Sequence, residues 1–202
     1  MNKNIKRKKF NVSLLGESEV GKTRISNNYL GKDLDEFTLS TIGIESYMDT
    51  AKFDGTEYKF KIYDTAGQER YRSISKSTIK ITDGFLLVFS VNNKKSFELI
   101  NYWYESIKEV IDIKKKVVIL IGNKIDLPNR QVTNEEAVAF AKSKNIKYFE
   151  TSAKTGFGIK EAFKELYQDI YDLFKSTKEK AENNNINLNE GGTKDKSQSR
   201  CC

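Results

Sequence analysis

Histidine is absent from this chain, and its only two cysteines are its last two residues, Cys201 and Cys202. With no imidazole, a zinc site is hard to assemble, and proton transfer is left to other groups. Two neighbouring cysteines close no useful loop, so a disulfide framework is excluded. An exposed thiol pair at a flexible end is instead well placed for lipid attachment, although it is not a C-a-a-X ending. Long apolar runs are missing as well: nothing approaches the roughly 18 residues that span a bilayer. The basic start, Met1-Asn2-Lys3-Asn4-Ile5-Lys6-Arg7-Lys8-Lys9, leads only into a short strand, so no secretory signal is expected and the protein is read as cytosolic.

What is present suits one soluble domain. The 202 residues are 38% hydrophobic and 31% charged, enough to bury a sizeable core. A formal charge of +7 invites comparison with nucleic-acid binders, but Lys and Arg are interleaved with Asp and Glu along most of the chain. No nucleic acid is therefore expected. The excess charge fits contact with anionic membrane surfaces or acidic partners, or a merely solvated surface.

Apolar strand-like runs alternate with helical stretches, which predicts an α/β fold: a mostly parallel sheet with helices on both faces. Six strands are expected, at 10–15, 47–53, 58–63, 84–89, 117–122 and 148–150, and the turn Asp54-Gly55 makes the second and third an antiparallel hairpin. Helices are expected at 24–29, 96–110, 134–144 and 159–175. The last sets Ile159, Ala162, Phe163, Leu166, Ile170 and Phe174 along one side as a core-facing stripe. Residues 1–8 read as a basic extension and 9–175 as the domain. Residues 176–202, rich in Asn, Glu, Lys, Gly and Ser, read as a disordered tether with a root-mean-square reach of roughly 25–30 Å.

Gly16-Glu17-Ser18-Glu19-Val20-Gly21-Lys22-Thr23 follows the first strand and opens the first helix, the context of a phosphate-binding loop. Its N–H groups point at phosphate oxygens, and its glycines allow a close wrap. Lys22 supplies charge for the β- and γ-phosphates, and the Thr23 hydroxyl can coordinate a Mg²⁺ ion bridging them. Asp64-Thr65-Ala66-Gly67-Gln68 follows the third strand. Asp64 can hold the magnesium shell from the other side, the Gly67 N–H can reach a γ-phosphate unobstructed, and Gln68 is placed to orient an attacking water. Positioning and electrostatics suffice for phosphoryl transfer, so the missing histidine is no obstacle.

Asn123-Lys124-Ile125-Asp126, after a buried strand, selects the base. A carboxylate accepts hydrogen bonds from guanine N1–H and its exocyclic amino group. Adenine lacks that pair of donors, a discrimination on the order of 10⁴-fold. The nucleotide is therefore expected to be GTP or GDP. Ser152-Ala153-Lys154 either completes the base pocket, through the Ala153 N–H and packing by Lys154, or is a helix-capping loop.

Together these segments resemble the Ras superfamily of small GTPases, and within it the Rab family, over about residues 8–175 and the two-cysteine end. The resemblance rests on Gly16 to Thr23, Thr41-Ile42-Gly43, Asp64 to Ile74, Gly122 to Leu127 and Glu150 to Lys154. It implies a monomer with the P-loop small-GTPase fold and a first switch in which Thr41 meets Mg²⁺ and the γ-phosphate only in the GTP state. GTP hydrolysis should be slow until a GTPase-activating protein supplies an arginine. The resemblance also implies geranylgeranyl groups on Cys201 and Cys202, an exchange factor, a GDP dissociation inhibitor and an escort protein. Effectors would meet the two switches, within 33–46 and 67–80, and the protein would cycle between cytosol and vesicle or organelle membranes.

The chain departs from the family pattern at three places. Glu19 stands where the family usually has a small residue beside the N–H groups that face the β–γ bridge, and Leu34 where it has an aromatic ring edge-on to guanine. Both predict faster GDP release than is usual for a Rab, unless Glu19 points to solvent and Phe37 covers the base. The family's Phe, Trp and Tyr effector cluster reads Ser46, Tyr63 and Thr78, which predicts a different effector set or drift without functional meaning. A fast-exchanging, weakly hydrolysing GTP-binding module is the second reading: Glu19 keeps it open and Gln68 opposes it. A P-loop kinase or ATPase is disfavoured by Asn123-Lys124-x-Asp126.

Overall fold

In the computed structural model, which describes residues 8–32, 45–64 and 76–190, the first strand decides the architecture. β1 (Lys9–Leu15) buries Phe10, Val12 and Leu14 toward one face and Ser13 and Leu15 toward the other, because it lies in the middle of a sheet covered on both sides. The other strands are β2 (Glu45–Phe53), β3 (Thr56–Asp64), β4 (Gly84–Ser90), β5 (Val117–Asn123) and β6 (Lys147–Glu150), in the order β2-β3-β1-β4-β5-β6. Every pair is parallel except β2 with β3, the expected hairpin at the sheet edge. Its turn residues Asp54 and Gly55 both have positive φ, 46° and 72°, as a two-residue I′ turn requires. All seven residues of β4 are buried, the mark of a central parallel strand.

Helices α1 (Lys22–Tyr29) and α6 (Ile159–Glu190) cover one face. The other carries α2 (Lys76–Ile81), α3 (Lys94–Glu98), α4 (Ile100–Lys108) and α5 (Asn134–Lys144). The α6 stripe packs as expected, and Tyr167 and Tyr171 add to it: Tyr167 stacks on Phe60 with centroids 3.7 Å apart, and Tyr171 on Phe53 at 4.7 Å. Each such ring buries enough apolar area to stabilise the docked helix by about 1.5–3 kcal/mol.

Three boundaries differ from the sequence reading. The helix expected at 96–110 is divided into α3 and α4 at Leu99, which keeps near-helical angles (φ −76°, ψ −9°), so the axis is only loosened there. The short α2 was not anticipated, since six residues offer too little periodicity to read. The last helix, expected to end at residue 175, runs on to Glu190. Lys178-Glu179-Lys180-Ala181-Glu182 are good helix formers with no Gly or Pro before Gly191, and a helix already nucleated by its docked half propagates easily. Among the described residues, no helix is long and apolar enough to cross a membrane.

Candidate nucleotide-binding site

The motif residues gather at one edge of the sheet, the carboxyl ends of its parallel strands, beside the point where the strand order changes direction at β1. Gly16 follows β1, Asp64 ends β3, Asn123 ends β5, and Thr151-Ser152-Ala153 follow β6. Two glycines are fixed here by close packing. A Cβ on Gly16 (φ 146°) would lie 2.0 Å from Val88 O, and one on Gly21 (φ 98°) 2.4 Å from Asn123 Nδ2. The loop between them curls around Lys22, which is only 5% exposed and whose Nζ donates to Gly16 O and Glu17 O, both at 2.8 Å. Val20 is buried, Thr23 is half-buried on the first turn of α1, and Ser18 and Glu19 are exposed. Glu19 takes φ 63°, a left-handed conformation that a glycine would adopt freely.

Asn123 joins the segments. Fully buried, it donates from Nδ2 to Val20 O at 2.8 Å and accepts at Oδ1 from Thr151 Oγ1 and the Ala153 N–H, each at 3.1 Å. Ser152 Oγ donates to Asp126 Oδ1 at 2.7 Å and accepts from the Thr155 N–H at 3.1 Å, which steadies an otherwise exposed carboxylate. Lys124 is half-buried with φ 68°, and Lys154 is exposed. The Ala153 N–H, which the sequence offered either to the base or to a helix-capping loop, donates to Asn123 Oδ1. Sequence reasoning missed Thr151 and Asn28, whose Nδ2 reaches Ala153 O at 3.4 Å. Thr151 stands inside the Glu150 to Lys154 motif and was within reach; nothing in the local sequence marks Asn28.

A family model described as the Ras family matches residues 11–172. This chain belongs to the Ras family of small GTPases. Its curated relatives include Ras-related protein Rab-13 of Bos taurus, 37% identical over 177 residues, 87% of this chain and 86% of the relative. Ras-related protein Rab-18 of Caenorhabditis elegans is 35% identical over 159 residues, 79% of this chain and 78% of the relative. Within the family, this GTPase is most similar to the Rab proteins.

Behind the GTPase's base loop, Arg130 Nη1 donates to Glu150 Oε1 at 2.8 Å, with Asn134 Nδ2 and Tyr148 Oη on the same oxygen at 3.2 and 3.1 Å. Burial works to raise the Glu150 pKa, but these donors, Arg130 foremost, overcome it and hold the carboxyl below its ordinary range. At the far edge Ser46 pairs directly with Tyr63 across β2 and β3, and the Lys61 ammonium sits 4.7 Å from the Tyr63 ring centroid. Thr78, the third position of that cluster, is 8% exposed on α2, and its backbone carbonyl accepts from the Thr82 hydroxyl one turn later.

For magnesium, the residues present fit. Thr23 and Asp64 are hard oxygen donors, and the Asp64 carboxylate is fully buried at the end of β3. Among the described residues no cluster of three or more His, Cys, Asp or Glu side chains occurs. Leu34, Phe37, Thr41, Gly67, Gln68, Cys201 and Cys202 lie outside the described residues.

Proposed function

We propose that this chain is a Rab-type molecular switch that binds and hydrolyses GTP and recruits effectors to intracellular membranes in vesicle traffic. The observation that carries the reading is the Asn123 side chain, through which the phosphate loop, the base motif and the Ser-Ala-Lys loop share one hydrogen-bonded hub. Phosphates would lie on the loop Gly16 to Thr23 at the amino end of α1, where N–H groups and the helix dipole favour negative charge. Asp126 would read the guanine edge, with Lys124, Lys154 and Leu34 packing around the base. Thr23, Asp64 and Thr41 would hold Mg²⁺, which supplies charge neutralisation between the β- and γ-phosphates when bound. Gln68 would orient the water and Gly67 would offer its N–H to the γ-phosphate. Geranylgeranyl groups on Cys201 and Cys202 would anchor the protein through the segment after residue 175, since two chains hold where one is marginal. An exchange factor, a GTPase-activating protein, a GDP dissociation inhibitor and an escort protein would run the cycle.

The test is release of fluorescent GDP from the purified protein in millimolar Mg²⁺ and again after chelation, with ATP as a competitor, followed by single-turnover hydrolysis of GTP. Slow release that quickens on chelation, resists ATP and is followed by slow hydrolysis supports the switch. Displacement by ATP would sink the guanine reading. The second reading, a fast-exchanging module with little hydrolysis, rests on repulsion between the Glu19 carboxylate and the phosphates, and the exposure of Glu19 weighs against it. It predicts fast release in Mg²⁺ that Glu19→Gly or Leu34→Phe slows.

A further inference from the structure

The edge of the sheet opposite the nucleotide motifs carries a groove that has no part in nucleotide binding. Two hollows of about 950 and 600 Å³ share Lys114, Lys116, Leu173 and Ser176, so they run into one another across the last docked turns of α6. They lie at the amino ends of the parallel strands: Asp83 and Lys116 stand just before β4 and β5, and Lys147 opens β6. Hollows of this size match ordinary binding clefts and accept several side chains.

The floor is apolar and the rim is basic. Ile113, Val117, Ile146 and Leu173 are half-buried in the larger hollow and Phe174 in the smaller, so each keeps apolar surface that a partner would remove from water. Most of the surrounding ammonium groups are already answered: Lys116 by Asp83 at 3.6 Å, Lys147 by Asp169 at 2.7 Å, and Lys108 and Lys144 by Glu105 at 2.7 and 3.1 Å. Two are not. Lys114, in the turn before β5, and Lys180, on α6, have no acidic partner among the described residues, and both line the smaller hollow.

Charge and shape decide the occupant. The chain's own ends carry Lys3, Lys6 and Arg7 on one side and Lys194, Lys196 and Arg200 on the other, so the lysine rim repels them. A second copy, at a formal charge of +7, is repelled too. A bilayer leaflet is anionic, but a flat surface meets the rim and leaves the floor empty. A protein segment that carries both carboxylates and apolar side chains satisfies rim and floor together.

We propose that this groove is a docking site for an acidic segment of a partner protein, which sets apolar side chains on the floor and carboxylates against Lys114 and Lys180. The site goes beyond the switch reading and does not depend on it. Its lining includes no residue of 33–46 or 67–80, so the partner is held equally whichever nucleotide is bound.

The test is selection from a displayed library of short peptides randomised among Asp, Glu, Leu, Ile, Phe and Ser, with the full chain as bait. Affinities of the selected peptides are then measured by fluorescence anisotropy. Peptides that combine acidic and apolar residues are expected to be enriched. Lys114→Glu/Lys180→Glu should weaken them roughly tenfold or more, and Lys114→Gln/Lys180→Gln by less. Serine in place of the apolar residues should weaken them as much. Lys160→Glu/Lys164→Glu, the same charge change at the start of α6, should leave affinity within twofold, as should exchanging GDP for a non-hydrolysable GTP analogue. The thermal midpoint and GDP release of the Lys114 and Lys180 variants should match the wild type, since both residues are exposed. Equal weakening by the two Lys→Glu pairs would mean attraction by net charge alone and would overturn the inference, as would a library that yields no peptide. Vesicles of phosphatidylserine and phosphatidylcholine form the last arm: with no peptide selected, wild-type binding that requires phosphatidylserine and is lost in Lys114→Glu/Lys180→Glu would assign the groove to lipid instead.

Discussion

Glu19 combines two properties that are separable by substitution: a left-handed backbone at φ 63° and an exposed carboxylate within the loop Gly16 to Thr23. The left-handed conformation costs an L residue roughly 1–2 kcal/mol, and glycine gives back about 0.4–1 kcal/mol through its looser unfolded chain. Glu19→Gly should therefore raise stability by about 0.5–1 kcal/mol, a midpoint gain of roughly 1–4 °C for a domain of this size. Glu19→Gln removes the charge and keeps the strain, so it should slow GDP release without the stability gain if the carboxylate repels phosphates. Denaturant unfolding and GDP release on the two variants check this; a Glu19→Gly protein no more stable than the wild type would refute the strain argument. At this scale, short spacings made much of the site legible. Lys22, Asp64 and Asn123 were readable because a motif and its flanking strand fix the first at the start of α1 and the other two at strand ends. The partners of Asn123 were not, because Val20 and Ala153 reach it from sequence separations of 103 and 30 residues, which only the sheet brings together.

Helix α6 joins two regimes in one element of 32 residues, about 48 Å long. Its first half is docked by the aromatic stripe and by a polar tie at the β2–β3 turn, where Tyr171 Oη and Lys175 Nζ donate to Asp54 Oδ2 at 2.9 and 2.8 Å. The Lys175 ammonium, and after it the Tyr171 hydroxyl, hold the Asp54 carboxyl below its ordinary 3.8. A carboxyl depressed in the folded state stabilises above its unfolded pKa, and that stabilisation disappears as pH falls through the lower folded value. Asp54→Asn keeps the turn, since Asn also tolerates positive φ, and breaks the ion pair. Its midpoint should lie slightly below the wild type at pH 7 and converge with it in acid below 3.8. A gap unchanged across that range would mean that the turn, not the charge, was altered. Residues 177 and 180 are exposed, so Thr177→Ala and Lys180→Ala should keep the midpoint within the ±0.5 kcal/mol expected of surface changes, as followed by circular dichroism. The docked half of α6 was legible from its period of apolar residues. Its continuation was not, because Asn, Glu and Lys read equally as tether, and the docked helix, a tertiary fact, supplies the nucleus.

At the scale of the whole molecule, alternation of strand and helix was enough to give a parallel sheet with a hairpin at its edge, but the placing of β1 between β3 and β4 depends on long-range pairing that local pattern does not encode. That placement matters energetically. The loops after β1, β5 and β6 are tied together at one edge, so a ligand seated there braces three separate parts of the chain at once. Binding to the folded state alone stabilises it by about 4.1 kcal/mol at 1,000 times Kd. For a domain of this size each kcal/mol moves the midpoint by roughly 2–4 °C, so saturating GDP with Mg²⁺ should raise it by about 8–16 °C over nucleotide-free protein. ATP at the same concentration should leave it in place, because opposite Asp126 it has no donor pair to offer. Asp126→Asn should erase most of the GDP shift while leaving the nucleotide-free midpoint nearly unchanged: Asp126 is exposed, and an asparagine oxygen can still accept from Ser152 Oγ. A thermal scan of the two proteins with no nucleotide, GDP and ATP decides the matter. Equal shifts with GDP and ATP would show that the edge holds phosphates without reading the base.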